Sequence, residues 1–321
     1  MLREVMNQAW GPLNPDHVPA SRATPSLRVR EITDRDFAGV AILLGTGFQR
    51  PSDYYSSALA RLARHATPTG CPKFGYLMEV DEKVVGAILL IFSALGGAGG
   101  GRLRCNVTSW YVEPEYKSYA ALFASRALQR KDVTYFNISA RPAARPIIKA
   151  QGFIQYSRGQ FVAVPALQLR CDTPARVTSH ESVPDVVFDA ADRDLLAAHA
   201  EFGCTSMWCV TAKRVYPFVF LPRMFKRWMP GAQLIYCRDA GDVVRFARPI
   251  GRYLAARGLF LVSIDANGPI PNMIGTYLEG KSPRFYKGPA CPRMGDLAYT
   301  QAAMFPWPEL SHHPVREAPT E

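Results

Sequence analysis

Apolar and polar residues alternate with period two from Leu27 to Ile32, which predicts a strand. The period then lengthens. Phe37, Val40, Ala41, Leu44 and Phe48 share one face of a helix that Thr33 or Asp34 can cap. Ser52 opens a second helix ending near Arg64 or His65. Two apolar runs, Phe74 to Val80 and Val84 to Phe92, are joined by Asp81-Glu82-Lys83 and form an antiparallel hairpin. The stretch Gly96-Gly97-Ala98-Gly99-Gly100-Gly101 leads into another strand, not a helix, and no Gly-Lys-Ser/Thr follows. It therefore reads as a hairpin loop and not as a phosphate loop.

From Leu103 the order changes to strand (to Val112), turn (Glu113-Pro114-Glu115), helix (Ser118 to Arg130), strand (Val133 to Ser139) and helix (Ala143 to Gln151). Gly152 can end that helix in the left-handed conformation, and a further strand is expected over Phe161 to Val164. Strand, helix, strand with such a crossover implies a parallel pair joined right-handedly. Past the proline-bearing stretch 166–186 the pattern resumes with strands at Met207–Ala212, Val215–Leu221 and Leu234–Arg238. A helix over Val243–Arg257, ended by Gly258, and a strand at Leu259–Asp265 follow. A short helix is expected at Ile270–Leu278 and a last strand at Leu297–Phe305. The strand–helix alternation thus occurs twice, a weak internal duplication. The expected organisation is an irregular segment 1–25, a first domain 26–165, a linker 166–186, a second domain 187–310 and a tail 311–321.

The length of 321 residues suits two domains, and 48% hydrophobic with 20% charged residues is a globular composition. The longest apolar run, Val84 to Phe92, is far short of the roughly 20 residues a membrane helix needs. No basic start followed by an apolar block marks a secretory signal. The seven cysteines form no disulfide framework and no zinc spacing, so free thiols in the reducing cytosol, and no metal, are expected. A net charge of +11 favours anionic ligands such as a phosphate-bearing cofactor. The charges are scattered, without a basic stripe and interleaved aromatics, so no nucleic-acid partner is expected and no membrane partner either. The group Trp208, Tyr216, Phe218, Phe220, Phe225 and Trp228 reads as core.

Chemistry concentrates at Val112-Glu113-Pro114-Glu115-Tyr116-Lys117-Ser118-Tyr119-Ala120-Ala121-Leu122. Here a buried strand ends at a proline turn and a helix begins behind a lysine. The first turn of a helix leaves backbone N–H groups without partners, and the helix dipole adds positive potential there, which suits a diphosphate. This segment resembles the central motif of the GCN5-related N-acetyltransferase superfamily at Val112, Pro114, Glu115, Tyr116 and Lys117. Ala120 and Leu122 stand where that motif has glycines. The family's next motif is matched at Ala144, Ile147, Gly152 and Phe153, with Arg141 in place of an asparagine and Ile148 in place of a tyrosine.

The resemblance implies an α/β (α+β) fold of two such lobes, each a mixed twisted sheet flanked by helices, the second diverged. Its turn Arg238-Asp239-Ala240-Gly241-Asp242 is acidic and repels phosphate. It implies acyl transfer from acetyl-CoA or another acyl-CoA to a small-molecule or peptide amine by direct attack. Tyr111, Val112, Lys117, Ser118, Tyr119, Ala120, Ala121 and Leu122 would bind the co-substrate, its pantetheine arm lying between diverging parallel strands. Glu79, Glu113, Asp265 and, through water, Asn106 are candidate catalytic bases by position at strand ends; Asn137 is a further catalytic candidate, and with Ser139 it could bond pantetheine amides or cap the following segment. The family's tyrosine protonates the leaving thiolate; a thiol of pKa near 8.5 can leave without that help. The alternative is a catalytically degenerate member serving as an acyl-CoA sensor or assembly partner. Arg141, Arg145 and Lys149, spaced as on one helix face, could attract a ribose phosphate or form a solvated face. The stretch Tyr277 to Gly288, with Lys281, Arg284, Tyr286 and Lys287, is a candidate acceptor-recognition segment.

Overall fold

The computed structural model describes residues 26–95, 102–168, 173–182, 184–226 and 228–305. The terminal segments and the glycine-rich stretch 96–101 lie outside them. The period-two run forms β1 (Leu27–Glu31), and the two amphipathic stretches form α1 (Phe37–Phe48) and α2 (Ser52–Arg64). The hairpin is β2 (Gly75–Val80) with β3 (Lys83–Leu95); Asp81 and Glu82 make the tight turn at φ 48° and 65°. Positive φ at both central residues matches the twist of a two-residue hairpin. Then come β4 (Arg102–Val112), α3 (Ala120–Ala127), β5 (Thr134–Asn137), α4 (Arg145–Ala150) and β6 (Ile154–Ala163). The second half supplies β7 (Arg176–Ser179), α5 (Ala190–Glu201), β8 (Thr205–Val210), β9 (Val215–Phe225) and β10 (Met229–Cys237). It ends with α6 (Ala240–Arg245), α7 (Ala247–Ala255), β11 (Leu261–Ala266), β12 (Gly275–Lys287) and α8 (Gln301–Met304).

All twelve strands join in one mixed sheet of order β1-β2-β3-β4-β5-β12-β6-β11-β10-β9-β8-β7. The two crossovers expected from sequence are present: β4 pairs β5 in parallel, and β10 pairs β11 in parallel. The halves interleave at the centre, where β12 runs between β5 and β6 while β6 also pairs β11. Apolar side chains fill both faces. One face of the first half packs Phe123, Ala127, Leu128, Ile148 and Phe153 from α3, α4 and their flanks on β2 to β5. The other packs Val40, Leu44, Tyr55, Leu59 and Leu62 from α1 and α2, closed by Met304 and Phe305. Among the described residues no helix is long and apolar enough to cross a membrane, and no disulfide joins the described cysteines.

Several elements differ from the sequence expectation. Ile270–Leu278 is not a helix: Pro269, Pro271 and Gly268 break the 3.6 period, and β12 begins at Gly275. A Cβ on Gly275 would stand 2.4 Å from the Val162 carbonyl, so the strand fits against β6 only because this residue is glycine. Leu297–Phe305 is not a strand. Thr300 caps α8 by accepting the Ala302 N–H, which turns the alanine-rich stretch helical. β6 starts at Ile154, well before Phe161, because its polar Ser157 and Gln160 are buried between strands and not exposed. The helix expected from Ser118 to Arg130 is a 3₁₀ turn over Pro114–Tyr119 followed by α3, which stops at Ala127. Arg141 precedes α4, so Arg141, Arg145 and Lys149 share no helix face. Trp228 is exposed, while Trp208, Phe218 and Phe220 are core.

The interleaved centre is polar. Arg284 of β12 and Asp265 of β11, both buried, form a two-bond ion pair at 2.8 and 3.0 Å, and Arg284 also donates to the Ile138 carbonyl. Removing one partner strands the other charge out of water. Arg284→Ala is expected to cost about 3–5 kcal/mol in urea unfolding, and Arg284→Met with Asp265→Leu markedly less. His199 of α5 is fully buried; its Nδ1 donates to the Leu195 carbonyl (2.8 Å) and its Nε2 accepts the Tyr299 N–H (3.1 Å). That arrangement needs the neutral ring, and burial pushes its pKa from 6.5 down to about 4. The unfolded chain therefore binds this proton first. Stability is expected to fall as pH drops from 6.5 toward 4, and His199→Gln to flatten that part of a urea-midpoint profile.

Candidate active site

Strands β4 and β5 are paired at Arg104–Thr134, Cys105–Tyr135 and Asn106–Phe136, and no further. Beyond Asn106 they part into a fork. Two asparagine side chains stake it. Asn106, fully buried, donates to the Phe136 carbonyl (3.1 Å) and accepts the Gln301 N–H (2.8 Å). Asn137 donates to the Val107 carbonyl (3.3 Å) and accepts the Ser139 N–H (3.1 Å). Both amides are thus committed to the framework.

On its other edge β4 keeps pairing with β3, but the register shifts between Thr108 and Tyr111, and Ser109 adopts φ 48°. This bulge re-aims the end of the strand. Glu113 donates its N–H to the Val85 carbonyl at 2.8 Å. Alternation then turns the N–H and C=O of Val112 to the opposite side, into the fork, where no strand among the described residues pairs them.

The chain leaves the fork through the 3₁₀ turn Pro114–Tyr119. Lys117, Ser118, Tyr119, Ala121 and Leu122 are exposed, Leu122 at 67%, and Ala120 is half-buried. The amides of the turn are not bare: Tyr116 donates to the Glu113 carbonyl and Ala120 to that of Lys117. Ile148 is buried against the α3 face.

The opposite face of the fork joins Tyr111 and Arg141, expected on the co-substrate side, to Arg50, Tyr54, Tyr55 and Ser109, which the sequence did not single out. α1 ends at Gln49 (φ 52°), and the Arg50 N–H returns to the Gly45 carbonyl (2.9 Å). This cap carries the chain from α1, which packs on β4, into α2. Tyr111 packs against Phe48 (ring centroids 6.0 Å) and so closely on Gly47 that a Cβ there would lie 2.5 Å from its ring. Tyr55 contacts Phe48 at 6.2 Å and Tyr54 at 5.0 Å. The Tyr55 hydroxyl lies near Ser109, the bulge residue; burial pushes its pKa up to about 12, so it is protonated at neutral pH. Arg141, from the β5 side, reaches across to stack over Phe48 at 5.1 Å, and Arg50 stacks over Tyr54 at 5.6 Å. For the residues of α2 the available sequence signal is the Tyr54-Tyr55 pair just after the α1–α2 break.

Glu79 lies apart from this group. It is bonded by Arg30 (3.0 Å), which also holds Asp36, and approached by Arg28 (3.9 Å) on the outer β1 edge. In the Tyr277–Gly288 stretch Arg284 is buried in its ion pair, and residues 280–283 loop out of β12 opposite Arg158. That bulge lies beside the end of β5, since Arg284 reaches the Ile138 carbonyl.

The second half repeats the fork and fills it. β10 and β11 pair only from Gly231–Leu261 to Gln233–Ser263, and β10 shifts register between Leu234 and Tyr236. The free edge is taken by the chain itself: Leu297 donates to the Ile235 carbonyl (2.7 Å) and Cys237 to that of Gly295 (2.9 Å). At the start of α6 the Asp239 carboxylate accepts the Gly241 N–H (2.7 Å). Peptide and carboxylate thus occupy the β10 edge and the start of α6.

No family model matches the chain, and no curated protein does by sequence. Solved structures do match in fold. A GCN5-related N-acetyltransferase from Kribbella flavida is 14% identical with a TM-score of 0.52, covering 82% of this chain and 71% of its own. One from Anabaena variabilis is 11% identical at 0.52, covering 81% and 72%. A conserved protein of unknown function from Enterococcus faecalis is 11% identical at 0.53, covering 86% and 74%. The forked parallel strands, the bulge in β4 and these matches agree: the chain has the fold of the GCN5-related N-acetyltransferase superfamily.

Proposed function

We propose that the protein transfers an acyl group, in the simplest case acetyl, from a CoA thioester to an amine by direct attack. The observation that carries this reading is the open β4–β5 fork, in which Val112 turns unpaired backbone groups toward the gap. An amide-bearing arm laid there would extend the sheet as a short strand does. The diphosphate would meet Lys117 and the start of α3, replacing the three-residue turn bonds of Pro114–Tyr119 with bonds of its own. Small Ser118 and Ala120 let it approach. The same fork in the second half holds residues 295–297, so one co-substrate site per chain follows.

The amine would enter from the face of Tyr54, Tyr55 and Ser109. No carboxylate belongs to the group Arg50, Tyr54, Tyr55, Ser109, Tyr111, Asn137 and Arg141, and Glu79 is tied to Arg30. The two arginines instead disfavour the ammonium form of a nearby amine, and so supply the neutral nucleophile electrostatically. Protonated Tyr55 can donate but cannot serve as a base at neutral pH. The leaving thiolate departs without a tyrosine acid, since Ile148 occupies that place in the family's motif. This last feature also favours a second reading, an acyl-CoA sensor without turnover.

Calorimetric titration with acetyl-CoA is expected to give one site per chain; two sites, or none, would overturn the reading. Lys117→Glu is expected to weaken that binding about tenfold or more, as reversing a charge beside a diphosphate costs on the order of 1.4 kcal/mol. Release of free thiol from acetyl-CoA in the presence of primary amines separates the two readings: turnover marks the enzyme, binding without release the sensor.

A further inference from the structure

We infer that the acceptor carries a carboxylate beside its amine, and that this carboxylate is gripped between Arg50 and Arg141. The inference rests on the acyl-transfer reading and names the substrate class of the same site. The two arginines come from opposite banks of the fork. Arg50 projects from the capped end of α1, on the β4 side, while Arg141 follows β5 and crosses to the α1 side. Their guanidinium groups lie over the rings of Tyr54 and Phe48, which with Tyr55 and Tyr111 form a continuous aromatic floor.

A guanidinium stacked on a ring spends its flat face on the contact. Its in-plane N–H groups stay available, in the fork geometry that matches a carboxylate. Neither Arg50 nor Arg141 forms an ion pair with a carboxylate among the described residues. Arg30, Arg104, Arg130, Arg238, Arg284 and Arg293 all do. The positive potential converges on the site: Arg50 and Arg223 act on the Tyr54 hydroxyl, Arg50 and Arg141 on that of Tyr55. Such a field attracts an anionic acceptor and repels a polycationic one. Free amino acids, with amine and carboxylate two bonds apart, fit the charge pattern; their amides lack the anion, and polyamines oppose it.

The test compares thiol release from saturating acetyl-CoA with three acceptor sets: the free amino acids, their primary amides, and spermidine. At least one free amino acid is expected to exceed its amide by about tenfold or more in kcat/KM, with spermidine the poorest, because a charge-assisted two-bond contact is lost. Arg50→Gln and Arg141→Gln are each expected to raise KM for that amino acid about tenfold or more, leave KM for acetyl-CoA unchanged, and bring the amino acid to amide ratio near one. Arg50→Lys, which keeps charge and loses the planar fork, should fall between. The inference is overturned if amides or spermidine are the better acceptors. It also falls if the arginine variants leave the ratio unaltered, or if acetyl-CoA raises the melting temperature yet none of the acceptors releases thiol. Absence of any acetyl-CoA stabilisation would remove the acyl-transfer reading itself, and the inference with it.

Discussion

A buried strand edge must find partners for its N–H and C=O groups, and a parallel pair that parts creates such an edge by construction. The protein builds this situation twice and resolves it differently each time. In the second half the edge of β10 is satisfied by the segment around Gly295 to Leu297, and the N-terminus of α6 by Asp239. In the first half Asn106 and Asn137 satisfy the apex of the fork and nothing among the described residues satisfies Val112. The difference is one of occupancy and not of architecture. One copy of the plan is left with an open edge while the other is closed by its own chain.

The segment that fills the second fork also braces the first. Past Leu297 it meets Arg104, whose guanidinium pairs Asp296 at 3.0 Å and donates to the Ala298 carbonyl. It then meets His199 through Tyr299, Asn106 through Gln301 and α2 through Met304. One run of about a dozen residues thus ties the plugged fork, the α5 helix, the apex of the open fork and the α1–α2 layer. Together with β12 threading between β5 and β6, it makes the halves mechanically dependent. The contacts are polar and buried, so each is costly to leave half made.

Much of the framework was legible because local pattern and tertiary role agree. The β2–β3 hairpin, the α1–α2 pair and both parallel crossovers follow from periodicity and turn chemistry. The Val112–Lys117 segment carries the motif resemblance, but the 3₁₀ turn that replaces a direct helix start there is not written in its pattern. Illegible were the elements whose polar residues face inward. Ser157, Gln160 and Arg284 are polar yet lie buried between interleaved strands, so apolar patterning marks neither the start of β6 before Phe161 nor the extent of β12. The aromatic and arginine group around Tyr54 and Tyr55 is assembled from three separate places, α1–α2, the β4 bulge and the loop after β5, which local pattern does not connect. Ser109 at φ 48° carries no signal in its identity. Glu79 drew attention as a carboxylate at a strand end, where its actual neighbours are arginines of β1.

Tyr55 and Ser109 stand where α2 meets the bulge of β4. Ser109 is the residue whose unusual backbone accompanies the register shift of β4, and the strand runs on from it to Val112. Burial holds the Tyr55 hydroxyl protonated at neutral pH. Under the proposed transfer, the face of Tyr54 and Tyr55 and the edge at Val112 would be held against one reference, the bulge. The group Arg50, Tyr54, Tyr55, Ser109, Tyr111, Asn137 and Arg141 contains no carboxylate, so that reading asks orientation and the field of Arg50 and Arg141 to stand in for a base.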